Sequence, residues 1–168
     1  MKIIVFFDSH GCEYNMREVM KRNRADTELV IHLGDGSEDV DHVMADYQGI
    51  ATVKMAGNRE EYLGFLMTGD LMIEDLFSVG GKWIFASHGH KYHVKSGDGG
   101  IVYHALDCGA DIVLYGHTHE ATCRDHTSEE SGRTLHIMNP GTIGASSHPT
   151  YGEIIIDGDS VTMTVKDA

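Results

Sequence analysis

The chain has 168 residues, 41% of them hydrophobic and 8% aromatic, as expected of a globular protein with one core. Thirteen basic residues against twenty-six acidic ones leave a formal charge of −13, which opposes non-specific attraction to nucleic acid or an anionic membrane. A small phosphorylated substrate stays open, because bound cations can reverse the sign locally.

Residues 2–7 are apolar and β-branched at Ile3, Ile4 and Val5, which predicts a buried strand. It ends at Asp8-Ser9-His10-Gly11. The five apolar residues 3–7 are too few for a signal-peptide core or a membrane span. Asn15, with Glu18 three residues on, predicts a helix start, and Met16, Val19 and Met20 form a stripe suited to core packing. Residues 29–33 predict a second strand, ending at Gly34-Asp35-Gly36. Ser37 is placed to cap the next helix, whose apolar face is Val40, Val43, Met44 and Tyr47. A third strand, 50–55, ends at Gly57-Asn58-Arg59-Glu60. This alternation argues for parallel βαβ units, whose functional groups sit beyond the carboxyl ends of the strands. Asp8, Asp35 and Asn58 fall at that edge.

The second half differs in character. Residues 71–79 and 82–87 predict a hairpin around Gly80-Gly81, and its second strand runs into Ser87-His88-Gly89-His90. A glycine-rich loop, 91–100, and a short helix, 101–108, lead to a buried strand, 111–115. That strand stops at Gly116-His117-Thr118-His119, where an extended loop would send the two imidazoles to different sides. Residues 121–126, 134–138, 151–157 and 161–166 predict antiparallel strands, with turns at 130–132 and 157–159. The loop Asn139-Pro140-Gly141-Thr142 lies among them. No repeat or linker divides the chain. The expected architecture is α/β, two stacked sheets with helices outside, as one domain over 1–168. Cys12, Cys108 and Cys123 are odd in number and form no C-x-x-C pair, which points to a reducing, cytoplasmic setting and no disulfide framework.

Five strand ends thus deliver Asp8, His10, Asp35, Asn58, His88, His117 and His119. Each motif alone is weak; their joint placement after predicted strands is the signal. Two metals with four protein ligands each need eight contacts, and seven residues supply them if one carboxylate bridges. Neutral imidazole cannot bridge. The set lacks thiolate, which suits manganese, iron, cobalt, nickel or zinc.

In Asp8-Ser9-His10, Gly34-Asp35, Gly57-Asn58, His88-Gly89-His90 and Gly116-His117-Thr118-His119 the chain resembles the calcineurin-like metallophosphoesterases, in particular their small prokaryotic phosphodiesterase branch. The resemblance implies a four-layer αββα sandwich of two mixed β-sheets flanked by helices. It implies one metal on Asp8, His10, Asp35 and His119, a second on Asp35, Asn58, His88 and His117, and Asp35 as the bridge. Two divalent ions are implied, Mn2+ first, with Ni2+, Co2+, Fe2+ or Zn2+ as alternatives. The implied reaction is attack of a hydroxide bridging two divalent metals on a small phosphate ester, a diester first. The alternatives are a phosphomonoesterase or protein phosphatase on the same site, and a non-catalytic protein-binding scaffold like a retromer subunit related to the family.

The sequence departs from the pattern in two places. Many relatives carry His after the motif asparagine, where this chain has Arg59. Arginine is a poor proton donor but can clamp a phosphate oxygen. Its other reading is a surface pair with Glu60 or Glu61. Leaving-group protonation then falls to His90 or water, His90 being otherwise an exposed loop histidine. The catalytic candidates are Asp35, Asn58, Arg59 and His90. The arginine often found after Asn139-Pro140-Gly141 is replaced by Ser147-His148-Pro149. Ser9 is read as shaping its turn and Cys12 as packed, neither as a nucleophile. His93, His104, His126 and His136 are read as structural or surface residues. Exposed Met and Tyr side chains are the candidates for a homo-oligomer contact.

Overall fold

A computed structural model describes residues 1–64, 71–129 and 132–168. The first sheet holds β1 (Lys2–Phe6), β2 (Thr27–His32), β3 (Ala51–Lys54), β9 (Thr150–Asp157) and β10 (Ser160–Asp167), in the order β10-β9-β1-β2-β3. The second holds β4 (Glu74–Val79), β5 (Lys82–Ser87), β6 (Ile112–Leu114), β7 (Thr122–Thr127) and β8 (Thr134–Asn139), in the order β4-β5-β6-β8-β7. Both sheets are mixed. β1, β2 and β3 run parallel, as do β5, β6 and β8, while β9, β10, β4 and β7 join antiparallel.

Alternation along each strand explains the layers. Ile3, Val5, Leu29 and Ile31 point inward against Ile84, Ile112 and Leu114 of the second sheet. Ile4, Phe6 and Val30 point outward, where α1 (Glu13–Asn23) and α2 (Ser37–Met44) cover them with Met16, Val19, Met20, Val40 and Val43. Phe85, Val113 and Ile137 on the far side of the second sheet are covered by α4 (Gly99–Asp107) through Ile101, Val102 and Ala105. The result is the expected αββα sandwich. No helix among the described residues is long and apolar enough to cross a membrane.

Two predicted helix starts are corrected. α1 begins at Glu13, and the Asn15 amide instead donates to the carbonyls of Ile143 and Gly144, at 2.9 and 3.3 Å. Ser37 opens α2 without capping it; the helix end is capped from outside by Glu60. A short helix the sequence did not announce, α3 (Asn58–Tyr62), follows β3. The diglycine hairpin is present, with Gly80 and Gly81 both at positive φ. Of the turn expected at 130–132, Glu130 and Ser131 lie outside the described residues.

Candidate metal centre

The parallel strands of both sheets deliver their carboxyl ends to one edge, and the loops there take an unusual backbone form. Among the described residues, Asp8, His10, Asp35, His117 and His119 are five of six non-glycine residues at positive φ, His93 being the sixth. That conformation costs an L-residue roughly 1–2 kcal/mol. Such strain persists only where the surroundings enforce it, and it gathers at functional sites. The loop at 116–119 is therefore left-handed at both histidines, not extended. It still sends His117 toward His88 and His119 toward Asp8.

The enforcing contacts are visible. Glu60 is buried, and its carboxylate accepts four backbone N–H groups: Gly36 and Ser37 on Oε1, at 2.8 and 3.0 Å, and Asp35 and Gly57 on Oε2, both at 2.9 Å. Burial alone would push its pKa up; these N–H groups override it and hold the value at about 2. Gly57 is needed here because a Cβ would lie 2.0 Å from Asp35 Oδ1. The Asp8 loop has its own brace. Gly34 N–H donates to Nδ1 of buried His32, whose Nε2 then faces Ser9 Oγ at 3.3 Å. The Ser9 hydroxyl donates to Asp39, which also accepts Gly11 N–H. Ser9 thus shapes its turn, as expected. Cys12 is half-buried at the start of α1. On the second sheet Asn139 donates to Gly116 O at 3.2 Å and Thr118 Oγ1 at 2.9 Å, which fixes the His117–His119 turn. Phe7 forms the floor, with the His88 and His119 rings at 5.3 and 5.5 Å. A Cβ on Gly116 would lie 2.4 Å from the Phe7 ring.

All seven expected ligands meet above this floor in two groups. In the first, ligand atoms of Asp8, His10 and Asp35 lie within 4.8 Å of one another, and His119 Nδ1 is 3.4 Å from Asp8 Oδ2. In the second, His88 Nε2 lies 3.2 Å from Asn58 Oδ1 and 3.1 Å from His117 Nδ1. Asp35 Oδ2 lies between the groups, 3.8 Å from His10 Nε2 and 3.8 Å from His88 Nε2. Its partner Oδ1 is occupied by the Arg59 N–H at 3.0 Å.

The donor chemistry fits a cation. Asp8 Oδ2 accepts the Thr142 hydroxyl at 2.7 Å, but buried Oδ1 has no hydrogen bond among the described residues. His10 Nε2 is 2.7 Å from that Oδ1 without hydrogen-bond geometry, so proximity alone does not satisfy it. His88 Nδ1 donates to Leu33 O at 2.9 Å, which leaves Nε2 as a bare lone pair facing the oxygen of Asn58. Lone pairs aimed at one another are satisfied by a positive ion. Burial holds His88 neutral, with its pKa down at about 4. Burial and the neighbouring His88 do the same for His117. Burial pushes the Asp35 carboxyl up, against the opposing Arg59 N–H.

The remaining candidates sit at the margin. The Arg59 guanidinium lies 3.2 Å from His10 Nδ1 and pairs with neither Glu60 nor Glu61. The surface-pair reading is thereby corrected: Glu60 is buried on backbone amides, and Glu61 takes His90 and Lys91 at 3.0 and 2.6 Å. His90 is no exposed loop residue. Its ring packs 5.0 Å from that of His88, with a buried Nδ1 that has no partner among the described residues. Of the histidines set aside, His104 packs on Phe85 and Tyr92, and His136 pairs with Asp125. Sequence reasoning missed Glu60, Thr142 and His32 as organising residues. The G-x-x-E spacing of Gly57 and Glu60 was the available signal.

The sequence profile of the calcineurin-like phosphoesterase superfamily domain matches residues 1–160. The probable metallophosphoesterase YsnB of Bacillus subtilis is 29% identical over 170 residues, covering 99% of this chain and 91% of that protein. Vps29 of Entamoeba histolytica, solved in complex with Zn2+, shares the fold with a TM-score of 0.68 at 17% identity, covering 99% of each chain. A structure described as a novel archaeal phosphodiesterase does so with a TM-score of 0.65 at 23% identity, covering 99% of this chain and 100% of that one. With an Asp–His–Asp group of two buried carboxylates and an exposed imidazole at the strand edge, and a profile match along nearly its whole length, the chain belongs to the calcineurin-like phosphoesterase superfamily, a metal-dependent family.

Proposed function

We propose that the chain is a phosphodiesterase that uses two divalent metal ions, manganese first among them, on a small phosphate diester in the cytoplasm. The observation that carries this reading is the position of Asp35 Oδ2, at 3.8 Å from both His10 Nε2 and His88 Nε2, with a lone pair to share between two groups of ligands. Asp8, His10, Asp35 and His119 would hold one ion, and Asp35, Asn58, His88 and His117 the other. When bound, the ions would supply hydroxide from water near neutral pH and offset phosphoryl charge.

The chain's own residues set the rest. Neutral His88 and His117 keep their lone pairs available at pH 7. Arg59, exposed beside His10, can turn its fixed charge to a phosphoryl oxygen. A diester carries one negative charge at phosphorus, which suits a single guanidinium. In the reaction a water-derived oxygen bonds to phosphorus, the P–O ester bond breaks, and the departing alkoxide takes a proton. His90 Nε2 is engaged by Glu61 and its Nδ1 is buried away from solvent, so solvent water is the proposed source of that proton. Turnover should therefore favour acidic leaving groups. Arg59→Ala should lower kcat/KM about tenfold or more across esters of differing leaving-group pKa. Unchanged turnover across that series would remove Arg59 from the reaction.

The test of the whole reading is hydrolysis of bis(p-nitrophenyl) phosphate and p-nitrophenyl phosphate with added Mn2+. Faster turnover of the bis-ester supports a diesterase; preference for the monoester supports a monoesterase on the same site. The fold shared with Vps29 favours a second reading, a protein-binding scaffold. Hydrolysis of neither ester, together with no bound metal, would establish that one.

A further inference from the structure

Two residues of α3 reach the other sheet. Asn58 and Glu61 stand three apart and so share one side of the helix. Asn58 Oδ1 meets His88 Nε2 at 3.2 Å. Glu61 meets the turn that follows: Oε2 accepts His90 Nε2–H at 3.0 Å, and Oε1 accepts the Lys91 ammonium at 2.6 Å. Its neighbour Glu60 is committed to the amides of Gly36 and Ser37, in the loop after β2. Consecutive carboxylates therefore anchor this short helix to both sheets.

The far end of the tie is itself held. His90–Tyr92 is a 3-10 turn that follows Gly89, whose φ is 101° and where a Cβ would lie 3.0 Å from Val94. Tyr92 packs on Phe85 at 6.0 Å and its hydroxyl donates to Glu74 at 2.8 Å. The His90 ring stands 5.0 Å from that of His88 and 6.1 Å from that of His117. Released from Glu61, it would be free to tilt against both.

The pair of Glu61 with Lys91 is partly exposed, and such a pair adds little to global stability. Its geometric effect is larger. The Asn58 side chain has no hydrogen-bond partner but His88 among the described residues. Where its oxygen stands is thus set by where α3 lies, and Glu61 holds α3 to the second sheet.

We infer that Glu61 is a positioning residue for the second ligand group. By clasping His90 and Lys91 it sets how closely Asn58 of one sheet approaches His88 and His117 of the other, and so the affinity of the ion they would share with Asp35. The inference rests on the two-ion reading above and assigns the control of one of those two sites.

The experiment is Mn2+ binding to the chelator-stripped full chain by equilibrium dialysis, which needs no substrate. The unaltered chain should bind two ions. Glu61→Ala should weaken one site about ten- to a hundredfold and leave the other unchanged. Glu61→Gln keeps an acceptor for His90, while exposed Lys91 turns to water, and should restore most of that loss. Asp41→Ala breaks the comparable exposed pair with Lys54 and should change neither site. In a His88→Ala background, where the first ion alone remains, adding Glu61→Ala should have no further effect. Thermal melts without metal should be close to those of the unaltered chain, which separates positioning from loss of fold. Equal weakening of both sites, no weakening of either, or no recovery in Glu61→Gln overturns the inference while two bound ions keep the two-ion reading standing. A single ion bound by the unaltered chain overturns that reading and this inference with it.

Discussion

The two sheets bring different chemistry to the same edge. β1, β2 and β3 end in oxygen donors, Asp8, Asp35 and Asn58, whereas β5 and β6 end in imidazoles, His88 and His117. The oxygen side is braced by a buried carboxylate, Glu60, that gathers four amides from two loops. The imidazole side is braced by a neutral amide, Asn139, acting on one turn. The difference teaches that position and protonation are handled separately. The first sheet fixes where the charges stand. The second supplies lone pairs that burial keeps free of protons.

The sharpest way to break this division is Asp35→Asn, which strikes the atom both groups share. On the two-ion proposal, activity should fall about a thousandfold and both ions should be lost. His88→Ala, by contrast, should remove one ion and retain the other; metal analysis after gel filtration separates the two outcomes. Next comes Glu60→Gln, which leaves buried amides without acceptors and should cost about 3 kcal/mol in urea unfolding. An effect no larger than that of an exposed substitution would mean that the oxygen side is not braced as described.

Acid should then probe the imidazole side. In metal-free protein His88, His117 and His32 have pKa values near 4, below the ordinary 6.5, chiefly through burial. Folding therefore favours their neutral forms. The stability they contribute is complete above pH 6.5 and is lost as pH falls toward 4, with half-exposed His117 contributing least. The Glu60 contribution has the same sign but a lower window: present above about 4.5, lost as pH falls toward 2. Urea unfolding from pH 7 to pH 3 in chelator should resolve the two windows. Asn139→Ala should cost about 1 kcal/mol, and its chief effect should be on metal binding at His117 and His119. The smallest expected effect runs the other way. His10→Gly relieves a left-handed φ of 44° at a half-exposed side chain and should stabilise the metal-free fold by about 0.5–1 kcal/mol while activity drops.

Much of this was legible because apolar runs and their punctuation are local. Residues 3–7 and 29–33 announce strands, and the aspartate just beyond each of them, Asp8 or Asp35, announces a candidate ligand. The braces were not legible. Glu60 reaches Asp35 across 25 residues, and Thr142 reaches Asp8 across 134. Neither separation leaves a periodic trace. Asn15 and Ser37 misled for the same reason: each has the residue type of a cap, yet distant partners claim the groups involved. His32 looks like an interruption in an apolar strand until its two ring nitrogens are seen to tie two loops.

Phe7 gives the arrangement a further consequence. It is at once the last inward residue after β1 and the surface on which His88 and His119 rest. Interior repacking and reactivity are therefore coupled through a single ring. Engineering for heat tolerance by enlarging inter-sheet side chains would tilt two imidazoles before it strengthened the protein. The safer route to a hardier variant is the outer faces beneath the helices, where Met16 and Met20 can be exchanged with no imidazole resting on them.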